Sequence, residues 1–156
     1  IERDETHFKP MIDMDMVSVN HEITAQLARS AVRASTNLPV KYVVLDTKTG
    51  RTGRYLAAFR GRKTVMAVCY RLHAQRILAL SYGVVPILRT QELSDKYHFL
   101  VDALEFIDQY RKLQDDDLMA IVGGSFGPDG GASYLELADV RGIRRRNEMI
   151  AAQNKR

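Results

Sequence analysis

One short segment of the chain, residues 47–52, carries side chains suited to hold an anion. Its sequence, TKTGRT, offers three hydroxyls, two cations and one glycine. Hydroxyl and cationic groups donate to phosphate oxygens, and a glycine lets backbone amides approach a ligand closely. Ordinary helix capping, the alternative, needs only one threonine. The composition therefore favours phosphate binding. The predicted site residues are Thr47, Lys48, Thr49, Gly50, Arg51 and Thr52.

The glycine spacing in this segment excludes two common phosphate motifs. The P-loop pattern GxxxxGK[ST] is absent from the chain. The pair Gly50 and Gly53 lacks the first glycine of a dinucleotide-binding fingerprint. We therefore expect no nucleoside triphosphate hydrolysis by this chain.

A second glycine-rich segment, GGSFGPDGGAS, covers residues 123–133. It follows a predicted strand, so it starts at the same edge of the sheet as the TKTGRT segment. Two interpretations remain open from the residues alone. The segment is either a lid over a ligand or a long hairpin loop that needs glycines only to turn.

Other reactive side chains show no catalytic pattern. The histidines are scattered, without the paired spacing of metal ligands: His7, His21, His73 and His98. The three aspartates at 115–117 are interpreted as a polar turn before a strand. Cys69, at the end of an apolar run, is interpreted as a small buried hydrophobe. No metal site is predicted, and no catalytic residue.

The hydrophobic pattern alternates between helical and strand periods along the chain. Helices are predicted at 18–36, 52–59, 72–82 and around 99–110, and strands at 40–45, 64–69, 84–88, 118–122 and 134–137. Such alternation predicts a largely parallel sheet covered on both faces. Only eleven residues separate the last two strands, so these are expected to be antiparallel. The predicted fold is an α/β three-layer α/β/α sandwich with a five-stranded, mostly parallel sheet.

Length and charge set the domain organisation. The 156 residues, 46% of them hydrophobic, suit one folded domain at 18–140, after an N-terminal arm at 1–17. The net charge is +4, but residues 141–156 hold six cations against one acid. This basic C-terminal extension has a sparse apolar set that allows a helix, although a solvated extension is preferred. A nucleic-acid adaptor acting through the tail is the weakest hypothesis, since the rest of the chain is nearly neutral.

Cysteine content and hydropathy bear on the compartment. The single cysteine excludes an internal disulfide framework and suits a reducing compartment. No apolar run approaches the roughly 20 residues needed to cross a bilayer, and the N-terminus is too charged for a signal peptide. We therefore expect a cytoplasmic protein without membrane contact.

The order of elements, the segment TKTGRT, the stretch HAQRILALSYGVVPIL and the glycine-rich loop resemble the C-terminal domain of pyruvate kinase over about residues 18–140. The resemblance implies that 47–52 is the phosphate cradle of an allosteric effector site. It implies closure over the effector by Gly127, Asp129, Gly130, Gly131 and Ser133. Lys96 or His98 would contact a second phosphate. Asp129 opposes a bisphosphate, which leaves a monophosphate such as a sugar phosphate or nucleotide, or a vestigial site.

The resemblance also implies what this chain lacks. In pyruvate kinases, glycolytic phosphoryl transfer from phosphoenolpyruvate to ADP belongs to a separate (β/α)8 barrel that binds Mg²⁺ and K⁺. That barrel would precede residue 1, so no cofactor and no activity are expected of the 156 residues alone. Family members form tetramers in which this domain supplies one interface. The alternative is a free-standing α/β module that binds a phosphate-bearing ligand or a protein partner, and the gene upstream of Ile1 would discriminate the two.

Overall fold

A computed structural model of the chain describes residues 16–89, 98–124 and 131–156, with side chains described from residue 21 onward. Five helices and five strands lie within these ranges: α1 (Met16–Asn37), β1 (Val40–Thr47), α2 (Arg51–Ala58), β2 (Val65–Cys69), α3 (Leu72–Ala79), β3 (Val84–Leu88), α4 (His98–Tyr110), β4 (Leu118–Gly123), β5 (Tyr134–Asp139) and α5 (Val140–Asn154). Among the described residues, none of the helices combines the length and apolar character needed to cross a bilayer.

The five strands form one sheet in the order β3-β2-β1-β4-β5. The pairs β1–β2, β1–β4 and β2–β3 are parallel. The last pair, β4–β5, is antiparallel, with Val122 opposite Leu135. The predicted mostly parallel sheet with a reversed last strand is confirmed. Strand β1 lies at its centre, so the loop that follows β1 emerges from the middle of the sheet edge.

Helices cover both faces of this sheet. Buried side chains of α1, α2 and α3 pack on one face, and those of α4 and α5 pack on the other. Along β1 the side chains alternate, with Val43 and Leu45 toward the first face and Val44 toward the second. Two-sided burial explains why the strand is a continuous apolar run rather than an alternating one. The predicted three-layer α/β/α sandwich is confirmed.

Several element ends differ slightly from the predicted ones, for local reasons. Helix α3 ends at Ala79, before the predicted end at residue 82, and Gly83 then takes the left-handed conformation with φ of 70°. A glycine is favoured there because it lacks the Cβ that strains this conformation. The predicted polar turn at 115–117 is confirmed, since the amide of Gln114 donates to Asp117 Oδ2 at 2.8 Å.

The basic tail is a helix, and the preferred interpretation as a solvated extension is wrong for its first turns. Asp139 caps α5 by accepting a hydrogen bond from the amide of Gly142 at 2.7 Å. Val140 and Ile143, one turn apart, are fully buried. These two apolar positions are enough to dock the start of the helix on the sheet, although arginines surround them.

Ion pairs hold the first half of α5. Arg146 donates through both terminal nitrogens to the carboxylate of Glu136 on β5. Arg144 donates to Asp108 on α4 at 3.0 Å and to Asp115 at 3.2 Å. The paired guanidinium geometry suits a carboxylate well. The cations of the tail therefore serve partly as attachments to the sheet and to α4.

Candidate functional site

The TKTGRT segment lies where the central strand ends and α2 begins. β1 ends at Thr47 and α2 starts at Arg51, one residue before the predicted start at residue 52. Gly50 is the N-cap residue, with φ of 87°, and offers no side-chain cap. Only glycine adopts this left-handed conformation without strain. The conformation of the loop thus requires glycine at position 50. As a result, the N-cap position provides no side chain that could cap α2.

Two of the three threonines shape this loop. The amide of Gly50 donates to Thr47 Oγ1 at 2.9 Å, and the amide of Arg51 donates to Thr49 Oγ1 at 3.3 Å. Thr47 is fully buried, whereas Thr49 is exposed. These two threonine hydroxyls thus accept hydrogen bonds from amides near the start of α2, as the alternative of ordinary helix capping requires. A hydroxyl that accepts one hydrogen bond still has its own hydrogen to donate, so Thr49 can also serve a ligand.

The third threonine is different. Thr52 is 1% exposed, and its Oγ1 is buried without a hydrogen-bond partner among the described residues. Within the same part of the chain, the amides of Thr52 and Gly53 also have no acceptor. Unpaired amides at a helix start carry partial positive charge and attract anions. Three donors that can serve an anion therefore come from the head of α2.

Replacing Thr52 by valine tests whether the buried Thr52 hydroxyl is unpaired. Valine keeps the shape but removes the unpaired hydroxyl, so Thr52→Val should raise the free energy of unfolding by about 1 kcal/mol. Urea denaturation in phosphate-free buffer measures it. Thr24→Val is a matched control, because the Thr24 hydroxyl has a partner and its loss should destabilise the fold. A Thr52→Val protein that is less stable than wild type would show that the hydroxyl is already bonded.

The sequence did not single out Asp46, which is 1% exposed beside this loop. It is the one acidic residue of a strand that is otherwise mostly apolar, and that contrast was the available signal. In its ionised form, the Asp46 carboxylate opposes an incoming anion. Lys48 and Arg51 must therefore outweigh it for the loop to hold a phosphate.

The glycine-rich loop is described only at its ends. Gly127, Asp129 and Gly130 lie outside the described residues. At the far end, the amide of Ser133 donates to the carbonyl of Gly123 at 2.8 Å. This bond joins the two ends of the loop next to the edge of the sheet, as either predicted interpretation requires.

Helix α1 anchors the same loop through Thr24, another residue that the sequence did not single out. The amide of Ala132, next to Gly131 and Ser133, donates to Thr24 Oγ1 at 3.1 Å. Thr24 is fully buried on the face of α1 that carries Ala28 and Ala31. A polar residue among apolar ones on this face of α1 could have drawn attention to Thr24. Its partner, however, lies 108 positions away in the sequence, so the contact could not be predicted.

The residues predicted to contact a second phosphate are not joined to the TKTGRT loop by any described contact. Lys96 lies outside the described residues. His98 begins α4 and lines a cavity of about 460 Å³ whose other lining residues belong to α4 and α5. Glu148, a carboxylate, lines the same cavity. No residue of 47–52 lines the cavity that His98 occupies.

Cys69 is buried at the end of β2, as predicted, with its thiol 3.6 Å from the carbonyl of Ile87. Burial raises the pKa of the Cys69 thiol from 9.0 to about 11, although a backbone hydrogen bond partly opposes the shift. A thiol with so high a pKa is a poor nucleophile near neutral pH. Among the described residues, no group of three or more His, Cys, Asp or Glu side chains could hold a metal ion.

Comparison with known proteins identifies similar chains. The family model described as "Pyruvate kinase, alpha/beta domain" matches residues 25–138. The pyruvate kinase of Lactobacillus delbrueckii subsp. bulgaricus is 28% identical over 116 residues, 74% of this chain and 20% of that protein. That of Borreliella burgdorferi is 25% identical over 139 residues, covering 87% and 29%. That of Bacillus licheniformis is 25% identical over 156 residues, covering 94% and 26%. The chain thus spans less than a third of each relative.

Proposed function

The chain belongs to the pyruvate kinase alpha/beta domain family, and on this basis we propose that it is the C-terminal regulatory domain of a pyruvate kinase. In this proposal, residues 47–52 bind the phosphate of an allosteric effector. The observation that carries it is the unpaired hydroxyl of Thr52, buried at the head of α2. Regulation would follow because a ligand that prefers one quaternary state shifts the equilibrium toward that state.

The chemistry of phosphate binding follows from the residues at the head of α2. The amides of Thr52 and Gly53 can donate to phosphate oxygens, and the positive end of the helix dipole adds attraction. Lys48 and Arg51 are the two cations of the segment and add to this attraction. Each charge-assisted hydrogen bond contributes about 1.5–3 kcal/mol, so a few of them are enough for a specific site.

The charges around the site favour a ligand with a single phosphate. By the family resemblance, Asp129 of the glycine-rich loop would face the effector, where a carboxylate would oppose a second phosphate. His98, the described candidate for that phosphate, shares its cavity with the carboxylate of Glu148. We therefore propose a sugar monophosphate or a nucleoside monophosphate as the effector class.

Isothermal titration of the chain with glucose 6-phosphate, ribose 5-phosphate and AMP tests this proposal. Lys48→Gln and Thr49→Ala should each weaken binding of the preferred ligand by about tenfold, since each removes one donor to the phosphate. Lys41→Gln is the matched control, because Lys41 is an exposed lysine at the opposite end of β1. Binding that is equally strong in all three variants, or absent in wild type, would refute the proposal.

The whole protein's activity is proposed from the family alone. Transfer of phosphate from phosphoenolpyruvate to ADP, with Mg²⁺ and K⁺, would take place in a separate catalytic part, in the cytoplasm. The isolated chain should then form no pyruvate in a coupled assay with both substrates and both cations. Pyruvate formation by the chain alone would overturn this division of roles.

We also propose that the domain contributes to subunit contacts in a homo-oligomer, a tetramer by family precedent. β5 lies at the edge of the sheet, and its Leu137 is 42% exposed. Ile23 of the neighbouring α1 is 41% exposed. Sedimentation velocity over a range of concentrations tests this, and a monomer at every concentration with and without effector would contradict it.

A free-standing module that binds a phosphate-bearing ligand or a protein partner remains the second candidate. It shares the site proposed above and differs only in lacking a catalytic part. Nucleic-acid binding through the tail receives less support, because Arg141, Arg144 and Arg146 already pair with carboxylates. Fewer cations are then available to contact phosphates along a nucleic-acid backbone.

A further inference from the structure

A basic cavity lies between α1 and α2, on the flank of α2 rather than at its head. It has a volume of about 400 Å³ and is lined by His21, Arg51, Arg54, Tyr55 and Ala58. None of these lining residues is acidic. Cavities of this size hold small metabolites, and this lining selects for negative charge.

His21 provides the most specific sign of a ligand. Its Nε2 is buried and has no hydrogen-bond partner among the described residues. Buried polar atoms are nearly always bonded in folded proteins, so each exception needs an explanation. A ligand oxygen bound to this nitrogen would satisfy it.

Arg54, on α2, lines the same cavity as His21. Arg54 makes no hydrogen bond or ion pair with any side chain in the described part of the chain. Its donors are thus available to the cavity, unlike those of the paired arginines on α5. A planar guanidinium recognises carboxylate and phosphate by two parallel hydrogen bonds.

The third wall of the cavity is held in place by aromatic packing. The ring of Tyr55 stacks on Phe59, with centroids 6.3 Å apart and an interplanar angle of 12°. The guanidinium of Arg29, on α1, lies 5.1 Å from the centroid of the Phe59 ring. The Tyr55 ring that lines the cavity is therefore pre-organised, which limits the entropy lost when a ligand binds.

From these features we propose that the α1–α2 cavity binds a small oxyanion, a carboxylate or a phosphate, between His21 and Arg54. The site is separate from the effector loop, although Arg51 belongs to both. It goes beyond the proposed function, which concerns only the head of α2. The test therefore observes His21 and substitutes Arg54, and it leaves Arg51 unchanged.

The experiment follows the imidazole signals of His21 by ¹H–¹⁵N NMR during titration of the full chain at fixed neutral pH and ionic strength. Inorganic phosphate and succinate are the two probes. The probe that binds more tightly shows whether the cavity prefers a phosphate or a carboxylate. We expect a saturable change at His21 with an apparent Kd of about 1 mM or tighter. His73, exposed on α3, is the internal reference and should not change.

Three variants separate this site from the effector loop. Arg54→Gln should weaken the response of His21 by about tenfold, the loss expected for one charge-assisted interaction. Lys48→Gln, in the loop, and Arg33→Gln, on the exposed face of α1, should leave it unchanged. Circular dichroism confirms that each variant is folded.

Two results would overturn the proposal. One is the absence of a saturable His21 response to either probe. The other is a response that Arg54→Gln leaves intact or that Lys48→Gln abolishes, since the signal would then come from elsewhere. Loss of effector binding in the loop variants with an intact His21 response would affect the proposed function alone.

Discussion

Deletion of residues 140–156, which comprise α5 and the two residues after it, should lower the free energy of unfolding by about 4 kcal/mol or more. Val140 and Ile143 are fully buried, and each such side chain contributes about 1.5–3 kcal/mol when it leaves water. The deletion also leaves Glu136 without the guanidinium of Arg146. Urea denaturation of the full and shortened chains measures the difference.

A shorter deletion and two point variants make this prediction specific. Removing only residues 151–156, which are exposed, should change stability by less than about 0.5 kcal/mol. Should the long deletion prevent folding altogether, Ile143→Ala remains measurable and should cost about 2–4 kcal/mol. Met149→Ala, 66% exposed on the same helix, is its matched control. Equal stability of the full chain and the 140–156 deletion would mean that α5 is not part of the core.

Raising the pH from about 8 to 11 should destabilise the wild-type domain by about 2–3 kcal/mol more than Cys69→Ala. The Cys69 thiol has its pKa raised by burial from 9.0 to about 11. Below about pH 8 the thiol is protonated in both states, so it adds no pH dependence. As the pH rises through 9 toward 11, the unfolded chain loses this proton before the folded chain does, which stabilises the unfolded state.

Chemical denaturation at several pH values measures this effect. The cavity cost of Cys69→Ala is the same at every pH, so only the change with pH is compared. Tyrosines and lysines also titrate in this range, but they are common to both proteins and their contribution cancels. Parallel pH profiles for wild type and variant would show that the thiol ionises as readily in the folded protein as in the unfolded chain.

The sheet could be predicted from the sequence because each strand is marked by residues that are close together in the chain. β1 is a continuous apolar run bounded by polar loops, and its start at residue 40 was placed correctly. The reversed last strand followed from the short connection before Tyr134. The start of α2 could be placed because Gly50 and its neighbours mark it locally.

The features that were missed depend on contacts between distant parts of the chain. The solvated tail was preferred because the partners of its arginines, Asp108 and Glu136 among them, are brought near only by folding. Thr24 and the cavity at His21 were missed for the same reason. The phosphate interpretation of residues 47–52 could be drawn from residue types, but the effector role required the resemblance to a family.

The family match ends at residue 138, one residue before the cap of α5. A domain exchange with another member of the family, spliced at that boundary, would therefore separate the sheet from Val140 and Ile143, the α5 side chains buried in its core. A working chimera needs its junction beyond the last ion pair of α5, at or after residue 147. The exchanged segment must therefore include α5 together with the sheet that α5 covers.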